Sequence, residues 1–125
     1  MYQPLRPAQT QHLPLRTLRY HLRTWGQARP GVAPLVLVHG WMDVSASWQF
    51  VVDALRPAFA QGRQIIAPDW RGFGRSTPPA PCDHYGFADY LGDLDALLHH
   101  CAPDHQPVDL VGHSMGGHVA MLYAG

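Results

Sequence analysis

Three short, largely branched apolar runs constrain this chain more than anything else in it: Leu35-Val36-Leu37-Val38, Gln64-Ile65-Ile66-Ala67 and Val108-Asp109-Leu110-Val111. Runs of four such residues bounded by Pro and Gly fit strands covered on both faces, as in a parallel sheet. The segments between them carry a different period. Trp48, Val51, Val52 and Leu55 fall at helical spacing, with Ser45 or Ser47 available as N-cap and Pro57 near the end. Phe87, Tyr90, Leu91, Leu94, Leu97 and Leu98 recur at steps of three and four, which predicts an amphipathic helix over about 84–100. Gly116 to Ala124 reads as a last helix. Alternating strands and helices of this kind predict an α/β fold: a mostly parallel β-sheet with flanking helices and right-handed crossovers.

Ahead of the first buried run the pattern differs. Residues 1–14 are rich in Pro and Gln and read as a loose leader, so residues 15–125 are expected to form the domain. Leu18, Tyr20 and Leu22 alternate with Arg19, His21 and Arg23, which predicts an outer antiparallel strand with one wet face. Gly26 to Pro34 supply turn residues, and Asp69 to Pro81 read as a long loop.

Composition removes several chemistries. Every strong cation among the 125 residues is Arg and every side-chain carboxylate is Asp, nine of each, so no Lys or Glu is present and the formal net charge is zero. A Ser–Lys dyad, a Schiff-base Lys, a phosphate-loop Lys and a catalytic Glu are therefore excluded within these residues, and a nucleic-acid partner is not expected. No run approaches the roughly 18 apolar residues of a membrane span, and the start lacks the apolar core of a signal peptide. The expectation is a cytoplasmic, soluble domain. Cys82 and Cys101 flank the helix expected over 84–100, more than about 20 Å apart, so no bridge between them is expected. His99, His100, Cys101, Asp104 and His105 cluster, but they read as a helix end whose imidazoles face solvent and complement the helix dipole, not as a metal site. No cofactor is expected.

Gly112-His113-Ser114-Met115-Gly116 is the segment that points to chemistry. A Gly-x-Ser-x-Gly run after a buried strand and before a helix is where a nucleophile elbow must sit. The turn forces the serine into a strained conformation, which its neighbours two residues either side permit only if they lack side chains. Gly117 adds clearance for the helix. A nucleophilic serine also needs two backbone N–H groups aimed at the developing oxyanion. Met115, at a helix N-terminus, would supply one, and Trp41, after His39-Gly40, the other.

Three segments in this order, Val36-Leu37-Val38-His39-Gly40-Trp41, Ala67-Pro68-Asp69-Trp70-Arg71-Gly72-Phe73-Gly74-Arg75-Ser76 and Leu110-Val111-Gly112-His113-Ser114-Met115-Gly116-Gly117, resemble the N-terminal half of the α/β-hydrolase fold superfamily. The resemblance runs from about Leu18 to the end. It implies a serine nucleophile at Ser114, an oxyanion hole at Trp41 and Met115, and an acyl-enzyme formed from a small-molecule acyl substrate. It also implies that Asp69, Arg71 and Ser76 buttress the sheet edge. Superfamily members resembling dehalogenases and epoxide hydrolases place Asp where Ser114 stands, so serine points to an acyl carbonyl: an ester, thioester or related group. Met42, His39 and His113 are pocket candidates, with Trp41; Trp48 is expected in the core. Arg71 and Arg75 are expected to pair with Asp69 or another loop carboxylate.

The family's chain order is Ser, then Asp or Glu, then His, and only Met115 to Gly125 follow Ser114. They hold no carboxylate, and His118 lies along the same helix, away from where the elbow aims Ser114. Triad acid and base are therefore not assigned to any residue here. Two expectations follow. One is a serine hydrolase whose fold is truncated after the elbow helix; the alternative is a catalytically inactive fragment acting at most as a binding module. In either case the strand bearing Ser114 would be a free edge able to self-associate.

Overall fold

The computed structural model describes residues 1–76 and 85–125. Strands β1 (Gln9–Leu15) and β2 (Leu18–Trp25) form an antiparallel hairpin, followed by β3 (Leu35–Val38). A 3-10 turn (Ser45–Trp48) leads into helix α1 (Gln49–Ala54) and a one-turn helix α2 (Pro57–Ala60). Strand β4 (Ile65–Pro68), helix α3 (Phe87–Cys101), strand β5 (Asp109–Gly112) and helix α4 (Met115–Ala124) complete the order.

The five strands make one sheet in the order β1-β2-β4-β3-β5. β3 runs parallel to both β4 and β5, and β2 joins β4 antiparallel, with Trp25 opposite Ile65 and Leu22 opposite Pro68. The α/β class expected from the alternation is the class observed. β3 occupies the centre of the parallel part and all four of its residues are buried, as its unbroken apolar run demands. Each face of the sheet carries its own core. On one, Leu18, Tyr20, Leu22, Val36, Val38 and Ile66 pack against Tyr90, Leu94 and Leu97 of α3 and Val119 of α4. On the other, Trp25, Leu35, Leu37, Ile65 and Ala67 pack against Trp48 and Val52.

Several expectations change. Residues 1–14 are not a loose leader. Residues 9–15 are strand β1, polar because it is an outer strand whose side chains are mostly exposed. Ahead of it, the Arg6 guanidinium donates to the Val52 carbonyl and, at 3.1 Å, to the Leu55 carbonyl, satisfying acceptors at the C-terminal end of α1. β2 is consequently an inner strand without a wet face: His21 is buried, and only Arg19 of its residues is fully exposed. Neither Ser45 nor Ser47 caps α1; Ser47 Oγ bonds Asp43 at 2.5 Å. Pro57 opens α2 instead of closing α1, using the first helical turn, where a missing N–H costs nothing.

Arg71 reaches past its own loop. Its Nε and NH2 donate to Asp93 of α3 at 2.7 and 2.8 Å, with Asp89 at 3.6 Å, so its ion pair is with helix α3 and not with Asp69. Asp93 is buried and also accepts the Tyr20 hydroxyl at 2.6 Å and Arg16 NH1 at 3.1 Å. Arg16, in the β1–β2 turn, has φ of 55°, a conformation that costs a side-chain-bearing residue energy and that these contacts help to hold. The expectation on a Cys82–Cys101 bridge and the end of the loop over 69–81 lie outside the described residues. Among the described residues no helix is long and apolar enough to cross a membrane.

Candidate active site

The strand-to-helix turn after β5 is as tight as its glycines imply. A Cβ at Gly112 would stand 2.5 Å from the Gly116 carbonyl carbon, and one at Gly116 would overlap the Val38 carbonyl oxygen on the neighbouring strand. Gly117 differs, since a Cβ there would meet only the Gly112 oxygen at 3.4 Å; the clearance expected of it is not strictly required. Between the two obligatory glycines Ser114 takes φ 53°, ψ −120°, outside the regions comfortable for a residue with a side chain. It is exposed, and among the described residues its hydroxyl has no hydrogen-bond partner.

Gly40 lies directly against this turn. A Cβ built on it would come within 2.9 Å of the Ser114 Cβ and 3.3 Å of the His113 Nδ1, so the β3 loop passes the elbow with no room for a side chain. The buried His39 holds that loop. Its Nε2 accepts the Trp70 N–H at 3.0 Å, which leaves the proton on Nδ1, and Nδ1 donates to the Gly40 carbonyl at 2.7 Å. Trp70 closes the loop by giving its indole N–H to the His39 carbonyl at 2.8 Å. Because the peptide unit is planar and trans, fixing the Gly40 carbonyl fixes the Trp41 N–H on the opposite side of the same plane. Among the described residues neither the Trp41 N–H nor the Met115 N–H has a hydrogen-bond partner. Two donors without partners thus lie next in sequence to Gly40 and Ser114, where the two segments meet.

The pocket candidates separate. Trp41 is 58% exposed and stands edge-on to Phe73, ring centres 5.0 Å apart, while Met42 is 81% exposed with φ of 55°. His113 is exposed beside Gly40. His39 is corrected: it is buried with both ring nitrogens engaged and lines no open pocket. Trp48 and Trp70 belong to the core. His118 is exposed on α4, and its N–H bonds the Ser114 carbonyl at 3.1 Å.

A buried carboxylate braces the loop from below. Asp69 Oδ1 accepts the Ser45 N–H at 2.7 Å; Oδ2 accepts the Arg75 N–H at 2.9 Å and faces His21 Nδ1 at 2.8 Å. These donors hold its carboxyl below the usual range despite the opposing effect of burial, the largest single influence on it. Ser76 Oγ, in turn, bonds the Asp69 carbonyl at 2.6 Å and receives the His21 N–H at 3.0 Å. His21 was the residue missed by pattern reading. The signal was present: its face of the strand also carries Trp25, which no wet face would.

Burial pushes the pKa of both His21 and His39 below the ordinary histidine value. The unfolded chain takes up protons on these rings near pH 6.5, whereas the folded chain resists until lower pH. Stability is therefore expected to be full above about pH 6.5 and to fall as pH drops through that value toward the folded pKa values, with a slope approaching about 2.7 kcal/mol per pH unit for two protons. Urea unfolding of the protein across pH 7.5 to 5 measures it; a flat profile over that interval contradicts the assignment.

Comparison with known proteins follows the same outline. The chain is 40% identical over 103 residues to a non-heme chloroperoxidase of Kitasatospora aureofaciens, covering 82% of this chain and 34% of that protein. It is 32% identical over 115 residues to a proline iminopeptidase of Levilactobacillus brevis, covering 92% and 37%. Among solved structures, a mutant of potato epoxide hydrolase superposes with a TM-score of 0.78 at 26% identity, over 94% of this chain and 35% of that one. The thioesterase domain from the curacin biosynthetic pathway gives 0.77 at 29%, over 94% and 41%. The 125 residues thus span about a third of the length of these curated relatives. The profile of the alpha/beta hydrolase fold family matches residues 33–125, which takes in β3, β4, β5 and the turn at Ser114, and the chain belongs to that family.

Proposed function

We propose that the protein containing these residues is a serine hydrolase of carboxylic esters or related acyl compounds, working through an acyl-enzyme on Ser114. The observation that carries this reading is the exposed, strained Ser114 on a turn packed against Gly40, with the N–H groups of the next residues, Met115 and Trp41, both without partners among the described residues. Serine Oγ attacks the acyl carbon, its proton passing to a base, and the carbonyl π-bond becomes an oxyanion that accepts hydrogen bonds from the two N–H groups. Collapse expels the alcohol or thiol, which takes a proton as it leaves. Water then adds to the acyl-serine and releases the carboxylic acid. The base and its orienting acid are not assigned to residues of this chain.

The relatives include a chloroperoxidase, an iminopeptidase and a thioesterase, and the last two names describe acyl chemistry. The epoxide hydrolase neighbour shares the fold. Serine at position 114 favours a carbonyl carbon over an epoxide carbon, as the family resemblance implies. Trp41 edge-on to Phe73 offers apolar surface for the acyl group, with the exposed Met42 next in the chain. The edge strand β5, paired only with β3 among the described strands and with Val111 on it exposed, is in this reading a surface for self-association.

Treating the full-length protein with a fluorophosphonate, then locating the adduct by peptide mass spectrometry, tests the nucleophile. The label is expected on Ser114. An adduct found only on another residue would sink the proposal.

A further inference from the structure

A cavity of about 500 Å³ lies at the end of the strands away from the Ser114 turn, where β4 begins at Ile65 and β2 ends at Trp25. Strands of four residues separate it from the Ser114 turn by at least about 13 Å, so its use does not depend on the serine chemistry. Its character is unlike that of the elbow. Arg6, Arg29 and Arg63 line it, with Gln61, and among the described residues no carboxylate does. Three of the chain's nine cations thus stand on one concavity, and of these Arg63 is paired with Asp109 outside the lining.

Two of the three guanidinium groups are already held. Arg63 donates to the Ala33 carbonyl at 2.8 Å, lies over the Phe59 ring at 4.6 Å and pairs with Asp109; its side chain is only 9% exposed, yet its Nε has no partner among the described residues. Arg6 is fixed by the Val52 and Leu55 carbonyls, which carry no net charge to neutralise it. Its backbone N–H meets Asp53 at 3.0 Å, but that carboxylate lies outside the cavity lining. Arg29 is different again: exposed, without a side-chain bond among the described residues, and lying over Gly62, where a Cβ would stand 3.2 Å from its NH1. Two anchored cations and one free to close on an anion lower the ordering cost of binding.

We propose that this cavity binds a phosphorylated small molecule, its phosphate groups taken by Arg29 and Arg63 with Arg6 adding to the field. The planar guanidinium fork matches phosphate oxygens two at a time. The volume exceeds what a single phosphate fills and falls in the range of small-ligand sites. Ile65 and Trp25 give the cavity an apolar floor for the organic part.

Inorganic pyrophosphate is the probe, titrated calorimetrically into the full-length protein at fixed ionic strength, with citrate and sulfate as parallel arms. Saturable pyrophosphate binding, weakened at least about tenfold in Arg29→Gln, is expected, since losing one charge-assisted contact costs that much. Arg29 makes no internal side-chain bond among the described residues, so this variant should fold as the parent does; matching thermal unfolding checks that. Ser114→Ala should bind pyrophosphate unchanged, which keeps this result separate from the fate of the nucleophile. Tighter binding of citrate would overturn the phosphate assignment. Equal response to sulfate, no saturation, or unchanged affinity in Arg29→Gln would overturn the site.

Discussion

If Ser114 is the proposed nucleophile, replacing it by glycine in the full-length protein should abolish acyl turnover and at the same time make the protein more stable. Loss of a serine nucleophile costs on the order of 10⁶-fold in kcat where base and serine act as a unit, and Ser114→Ala should show the same loss. Stability separates the two variants. Serine at φ 53°, ψ −120° stores backbone strain of about 1–3 kcal/mol. Alanine keeps the Cβ and therefore the strain, whereas glycine sheds it but pays about 0.5–1 kcal/mol in extra unfolded-chain freedom. The net expectation for Ser114→Gly against Ser114→Ala is a gain of about 1 kcal/mol, read by urea unfolding. Equal stability of the two would show that the turn is not strained, and residual turnover near the parent rate would remove Ser114 from the chemistry.

Asp93→Ala should destabilise the fold by about 3–5 kcal/mol, because it removes one partner from a buried ionic cluster and leaves the others uncompensated. Four donor contacts from three residues converge on this carboxylate: Tyr20 Oη, Arg71 Nε and NH2, and Arg16 NH1. They tie β2, the β1–β2 turn and the loop after β4 to helix α3. Arg71 is held further above the ordinary arginine range chiefly by its bond to Asp93, and burial raises the Tyr20 hydroxyl, so neither readily sheds its proton to escape. Combining Asp93→Leu with Arg71→Met and Tyr20→Phe should recover most of the loss, since replacing a whole buried cluster by apolar groups is close to neutral. A loss under about 1 kcal/mol for Asp93→Ala would mean that the cluster is solvated rather than structural.

What could be read in the residues followed from how local each cause was. β3 and β4 were visible because each is short and apolar on both faces, and the elbow because two glycines and a serine stand at a spacing set by one turn; β5 was found, but the expectation that it is covered on both faces fails, since Asp109 and Val111 on it are exposed. Expected and observed strand ends differ by one residue at β4 and β5. The hairpin was half visible. β1 is an outer strand of mostly polar residues, so nothing in residues 9–15 announces it until β2 is seen pairing on both sides. Asp93 illustrates the same limit. It sits three residues after Tyr90 and four before Leu97, on the apolar stripe of α3, and a carboxylate there signals a buried partner without saying which. Its partners come from segments 22 to 77 residues away, beyond any local pattern. The His39 clamp on the Gly40 peptide was equally out of reach, because it depends on Trp70 arriving from the next strand's loop.

The sheet order also sets a timetable for synthesis. β2 pairs with β4 from Leu22–Pro68 to Trp25–Ile65, so the hairpin is made well before the strand that covers its inner edge. At about 5–20 residues per second, roughly 2–8 s pass before β4 follows. During that interval β2 presents open N–H and C=O groups to any other nascent chain. Arg19 and Arg23, which interrupt its apolar residues, are the kind of charges that discourage such pairing. The arginines that make this strand read as half-wet in the sequence thus have a use before the fold is finished.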